Sequence, residues 1–167
     1  PLYKDNTRTA RKYKILPHRF LPEYDLSIWV DGNEIIVGNI NQLQEKYLNN
    51  KNMAVYNHMN CWDKRNCVYD EARAIFNLGN QNNNWKDNPS IITKQMDRYV
   101  KEQYPPNNGL IVSGVMFRKH NMLDIIKCME LWWEELKYGS KRDQLSFNYS
   151  AWKCNTSFNW INQDIRD

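Results

Sequence analysis

The stretch Leu26-Ser27-Ile28-Trp29-Val30-Asp31-Gly32-Asn33 decides how the chain is read. A short run of branched and aromatic residues stops on an acid, a glycine and an amide. Such a run reads as a buried strand, and Asp-Gly-Asn reads as the turn that closes it. Downstream the pattern predicts a second short strand over 34–37, a helix over 40–48 and a strand over 53–56. A helix over 68–78 is broken by Gly79, and the Asn run at 82–84 reads as a surface loop. A helix over 90–104 starts beside Pro89 and ends before Pro105 and Pro106. Residues 110–117 form the most apolar strand, and 122–136 the clearest helix. There Met122, Ile125, Ile126, Met129, Trp132, Trp133 and Leu136 recur at three- and four-residue steps. Trp132 and Trp133 on that stripe are core rather than a platform for a ligand. A short helix over 143–152 and a strand over 157–161 complete the series. Upstream, 7–15 is a basic helix limited by Pro17, because the residue before a proline avoids the helical region.

Strands alternating with helices predict a single α/β layered domain over 1–167 with a mostly parallel central sheet. Ligands of such sheets bind outside the carboxyl ends of the strands. The 167 residues, 41% hydrophobic and of mixed charge, can bury a core, which excludes a disordered chain. No apolar run reaches the roughly 20 residues of a membrane span, so none is expected. The start at Pro1, without a Met, suggests a trimmed chain. A net charge of +4 fits either plain solubility or attraction for an anion such as phosphate. The basic residues are scattered rather than striped, which argues against a nucleic-acid partner. Cys61, Cys67, Cys128 and Cys154 include no CxxC pair, and His58, Cys61 and Cys67 match no zinc spacing. Reduced, mostly buried thiols are expected, and they lean towards a cytoplasmic location.

Four groups of residues have chemistry to offer. Asp31 at a strand's carboxyl end, beside Gly32, suits a hard divalent cation, with Asn33 as a second oxygen. The same three residues also suit an ordinary hairpin turn. Arg8, Arg11 and Lys12, with Lys14 nearby, either neutralise a diphosphate or simply face solvent. Arg142-Asp143-Gln144 follows Gly139-Ser140 and opens a helix, so Asp143 either caps that helix or, with Gln144, hydrogen-bonds sugar hydroxyls. Asn107-Asn108-Gly109 turns the chain into its strongest strand. His58, Tyr69 and Glu71 are weaker candidates.

Several strings together resemble one family. They are Thr7 through His18 (TRTARKYKILPH), Tyr24 through Asn33 (YDLSIWVDGN), Cys67 through Ala72 (CVYDEA), Asn108-Gly109-Leu110 and Lys141 through Phe147 (KRDQLSF). They are similar to the glycosyltransferase-like proteins of plant cell walls and bacterial surface polysaccharides, formerly a domain of unknown function. The resemblance implies an A-type, Rossmann-like glycosyltransferase fold, distantly like glycogenin. It further implies a nucleotide-sugar donor (a UDP-sugar favoured), a glycan acceptor and Mn²⁺ or Mg²⁺. On this resemblance Asp31 matches the first acid of the metal motif, and Asn33 stands where a second acid is usual. Asp164 and His58 are candidates for a further ligand. Arg8, Arg11, Lys12, Asn108 and Arg142 are expected near the donor, and Asp143 and Gln144 as the catalytic pair at the sugar, with Asp143 the base if the reaction inverts the anomeric carbon. The base-holding strand and helix that usually begin such domains are expected to be missing ahead of Pro1. A non-catalytic carbohydrate-binding domain and a single-stranded nucleic-acid binder are the alternatives, distinguished by donor turnover and by steep salt dependence respectively.

Overall fold

β3 (Ile111–Arg118) is the strand around which the others are arranged. A computed structural model describes residues 4–83 and 85–166. Its sheet has the order β1-β3-β2-β4, with β1 at Ser27–Val30, β2 at Met53–Asn57 and β4 at Asn159–Ile161. β3 pairs antiparallel with both β1 and β2, and only β2 and β4 pair in parallel. The sheet is therefore mixed rather than mostly parallel. β1, β2 and β4 nevertheless point the same way, because each lies opposite to β3 or parallel to a strand that does. Their carboxyl ends share one edge, as an α/β reading requires.

Side-chain alternation sorts the strands into two faces. Met53, Val55, Ile111 and Met116 pack with Ile15, Trp132, Leu136 and Phe147. Those partners lie on α1 (Asn6–Ile15), α6 (Leu123–Tyr138) and α7 (Gln144–Cys154). Ala54, Phe117 and Ile161 point the other way, towards Tyr47 and Leu48 at the end of α3 (Ile40–Tyr47). A third cluster joins α4 (Val68–Asn82) and α5 (Pro89–Lys101) to the far side of α7 through Ile75, Tyr99, Leu145 and Tyr149. The short α2 (Pro17–Phe20) starts at the proline that ends α1. Trp132 and Trp133 are buried, as an apolar helical stripe demands.

Two local expectations are corrected. Residues 34–37 form no strand. Glu34 N–H closes the turn by donating to Asp31 O at 3.0 Å. Ile35, Ile36 and Val37 then lie along an apolar groove with Ile28, Val115 and Phe117, so their neighbours are side chains on the sheet face rather than a ladder partner. Gly79 does not break α4, which runs on to Asn82. A Cβ at Gly79 would sit 2.3 Å from the Trp85 ring, so the glycine seats an indole instead of ending a helix. Of the expected loop at 82–84, Asn82 is helical, Asn83 is left-handed with φ 47°, and Asn84 lies outside the described residues. All four cysteines are free thiols. Among the described residues, no helix is long and apolar enough to cross a membrane.

Candidate functional site

β1 delivers Asp31 to the shared edge of the sheet. The strand register continues one residue past Val30, with Asp31 N–H donating to Gly114 O at 2.8 Å. That fixes the backbone, and three side chains fix the carboxylate. Trp29 Nε1 donates to Asp31 Oδ1 at 2.6 Å, Lys14 Nζ at 3.3 Å and Arg11 Nη1 at 3.5 Å. All three reach the same oxygen. No hydrogen bond to Oδ2 is found among the described residues, and this atom looks towards Gly114. A Cβ built on Gly114 would lie 4.0 Å from Asp31 Oδ2, 3.4 Å from Glu34 Oε1 and 2.9 Å from Ile165 Cδ1. A bare backbone at Gly114 thus lets two carboxylates and Ile165 close over the strand.

α1 supplies the cations. Arg11 and Lys14 stand three residues apart and share a helix face. Lys14 is wholly buried, with Nζ 2.8 Å from Asp143 Oδ2 as well as near Asp31. Arg11 Nε lies 3.1 Å from the same Asp143 oxygen. Asp143 is itself buried, and Ser113 Oγ donates to its Oδ2 at 2.9 Å while Gln144 N–H donates to its Oδ1. Burial alone would raise the Asp143 pKa. The Lys14 ammonium and Arg11 guanidinium, with the Lys14 and Ser113 hydrogen bonds, outweigh it and hold the carboxyl below the usual carboxylate range. Asp143 is therefore both a helix cap and the anchor of an ion-pair cluster. Trp132, buried in the core, donates its indole N–H to Asp143 O and ties this corner to α6.

The other sequence candidates are dispersed. Arg8 turns away to the carboxyl end of α6, donating to Leu136 O at 3.3 Å and Gly139 O at 2.8 Å while pairing with Asp5. A cation there complements the helix dipole. Lys12 holds its ammonium 6.0 Å from the Phe20 ring centre. Gln144 donates to Ile111 O at 2.9 Å and accepts from Arg142, so its amide bridges α7 to β3. Arg142 pairs with no carboxylate among the described residues, and its buried Nε has no hydrogen-bond partner there. Asn33 is exposed and donates to Glu34 Oε1 at 3.3 Å. Asn108 is exposed at the entrance to β3, 3.5 Å from Tyr104 Oη. Asp164 pairs with Arg166 and lines the apolar groove. His58 is buried and receives the Arg65 N–H on Nδ1; burial and the Arg65 charge lower its pKa. Among the described residues no three His, Cys, Asp or Glu side chains are grouped to hold a metal ion.

Sequence reasoning missed Glu34, Ser113, Trp29 and Gly114. Glu34 falls within the expected strand, yet it stands three residues after Asp31, the spacing at which a tight turn brings the chain back on itself. Ser113 and Gly114, small residues inside the most apolar strand, were the available signal of a close approach.

The model of the TOD1/MUCI70, glycosyltransferase-like domain family matches residues 1–164. The chain is 30% identical over 169 aligned positions to a probable hexosyltransferase, MUCI70, of Arabidopsis thaliana. That alignment covers 95% of this chain and 27% of the plant protein, so the chain spans about a quarter of its relative's length. No solved structure matches.

Proposed function

This chain belongs to the TOD1/MUCI70 glycosyltransferase-like domain family, and from that premise we propose that it moves a sugar from a nucleotide-diphosphate sugar to a glycan hydroxyl. A UDP-sugar is the first donor to test, with Mn²⁺ or Mg²⁺ as the companion ion. The hexosyltransferase name of the plant relative supports a sugar as the group transferred.

The observation that carries this reading is the state of Asp31. One carboxylate oxygen is held by three donors, while the other, at the carboxyl end of β1, accepts no hydrogen bond among the described residues. Such an acid is oriented in advance for a ligand. Local charge supports the ion. Arg11 and Lys14 are matched by Asp31 and Asp143, so the cluster alone offers a diphosphate no net attraction. Asp31 and Glu34 beside the bare Gly114 fit a hard cation, because Mg²⁺ commonly takes one or two carboxylates and fills its remaining positions with water and phosphate oxygens. Asn33 would steady Glu34 through its amide. When bound, such an ion neutralises charge on the departing nucleotide diphosphate.

The chain's own residues divide the remaining work. Arg11, the part-exposed member of the pair, faces the developing negative charge, while the buried Lys14 holds Asp31 and Asp143. Arg142, which pairs with no carboxylate among the described residues, adds a guanidinium suited to a phosphate oxygen. Asp143, with both oxygens engaged, holds Lys14 and Arg11 in place as a positioning residue. Gln144 holds Arg142 and the start of β3.

Thermal unfolding with a panel of nucleotide diphosphates and nucleotide sugars, with Mn²⁺ and again with a chelator, tests the proposal. A ligand at a hundred times its Kd adds about 2.7 kcal/mol, which for a chain of this size is a rise of about 5–10 °C. The rise should appear for one base, vanish on chelation and vanish in Asp31→Asn. No rise with any nucleotide, or an undiminished rise in Asp31→Asn, overturns the assignment.

A further inference from the structure

Along α7 the chain forms a second concavity that the cluster around Asp31 does not use. It is a groove of about 350 Å³ whose lining includes Trp152, Trp160, Asn108, Asn148 and Asn155. None of its lining residues is charged. Trp152 is 37% exposed. Asn148, one helical turn beyond Gln144, accepts the Ile111 N–H at 3.1 Å, while Gln144 donates to Ile111 O. The groove and the Asp143 corner are therefore joined through a single residue of β3. Gly109 packs against two of the lining residues, Trp160 and Asn148. With φ at +86° it adopts a backbone most side chains avoid, and a Cβ there would meet the Trp160 ring at 2.8 Å and Asn148 Nδ2 at 3.0 Å.

We infer that this groove binds the acceptor glycan as a neutral oligosaccharide, presenting its end to the site at Asp31 and Asp143. Planar amides and indole faces without charge match sugar hydroxyls and the apolar faces of sugar rings. A phosphate or nucleic-acid strand would instead call for a basic lining. The lysines at the rim have partners: Lys51 donates to Ser157 Oγ, and Lys153 pairs with Glu102 while lying 5.8 Å from the Trp152 ring centre. The acceptor role rests on the transferase reading above, whereas saccharide binding does not.

Proton–nitrogen NMR on the whole chain separates the two. Cellotetraose, xylotetraose and maltotetraose are titrated in turn, and UDP, GDP, ADP and CDP, each with Mn²⁺, are titrated separately. At least one tetrasaccharide should shift the Trp152 and Trp160 indole N–H signals saturably. Trp152→Ala should weaken it by roughly tenfold, the loss of one aromatic platform. Asn108→Ala, at an exposed position, should weaken it too and guards against a Trp152 variant that misfolds. Overturning results are no shift with any tetrasaccharide, or equal binding by folded Trp152→Ala and Asn108→Ala. Nucleotide binding without saccharide binding removes the groove and leaves the transferase. Saccharide binding with no nucleotide of any base removes the acceptor role.

Discussion

Replacing Lys14 by methionine deletes one ammonium from the interior and little else, since methionine keeps a similar length and adapts to its surroundings. Lys14 is fully buried, 2.8 Å from Asp143 and 3.3 Å from Asp31. Removing one member of a buried pair costs about 3–5 kcal/mol, because the other charge stays behind without its partner. Asp143 would keep Arg11 Nε at 3.1 Å and Ser113 Oγ at 2.9 Å, which places the loss at the lower end, about 3 kcal/mol. For a chain of this size that is a fall in Tm of about 6–12 °C. Urea unfolding followed by tryptophan fluorescence measures it, on Lys14→Met, Asp143→Leu and the double variant. The double variant leaves no buried carboxylate unpaired, so it should be more stable than the sum of the singles by about 1–3 kcal/mol. A Lys14→Met variant within about 0.5 kcal/mol of the parent, or a cycle additive to the same margin, would refute the charge cluster as described.

Gly79→Ala should destabilise the protein even though alanine in a bare helix gains about 0.5–1 kcal/mol, because the new methyl meets the Trp85 ring at 2.3 Å; a more stable variant with unchanged tryptophan emission contradicts that packing. The His58 pKa is lowered by burial and by Arg65, so the unfolded chain binds the extra proton more readily. Its contribution is full above the unfolded value of about 6.5 and is lost as pH falls from there through the folded pKa, and His58→Gln should flatten that part of a stability–pH curve. Arg8→Met should cost about 1–2 kcal/mol through its lost bonds to Leu136 O and Gly139 O, while nucleotide affinity at low temperature stays within about twofold; a large affinity loss at full stability would return Arg8 to the donor site.

Periodicity made the elements legible, because burial on one face leaves a repeat in the sequence. The stripe on α6 and the apolar runs of β1 and β3 declared themselves that way. Strand direction left no such trace: Ile111–Arg118 reads the same whichever way its neighbours run, and only its place between β1 and β2 makes the sheet mixed. At the site, Asp31 was visible as the acid that stops a strand. Lys14 is visible as a basic residue, but sequence alone turns the basic cluster towards a ligand or solvent. Its burial depends on Asp143, 129 positions away, and no local pattern encodes that pairing. The carbonyl partners of Arg8 were illegible for the same reason, since they belong to a distant helix end.

The docking of α1 also bears on when the site comes into being. Arg8 finds its carbonyl partners 128 and 131 residues further along, and Arg118 Nη1 donates to Lys14 O across 104 residues. On a ribosome adding about 5–20 residues per second, the first helix waits on the order of ten seconds for α6 to exist. Its basic residues and the apolar pair Ile15 and Leu16 are the first of the described core to be made and among the last to be placed. A nascent chain therefore carries Asp31, Arg11 and Lys14 well before the distant groups that fix α1 in place, and the site is completed late in synthesis.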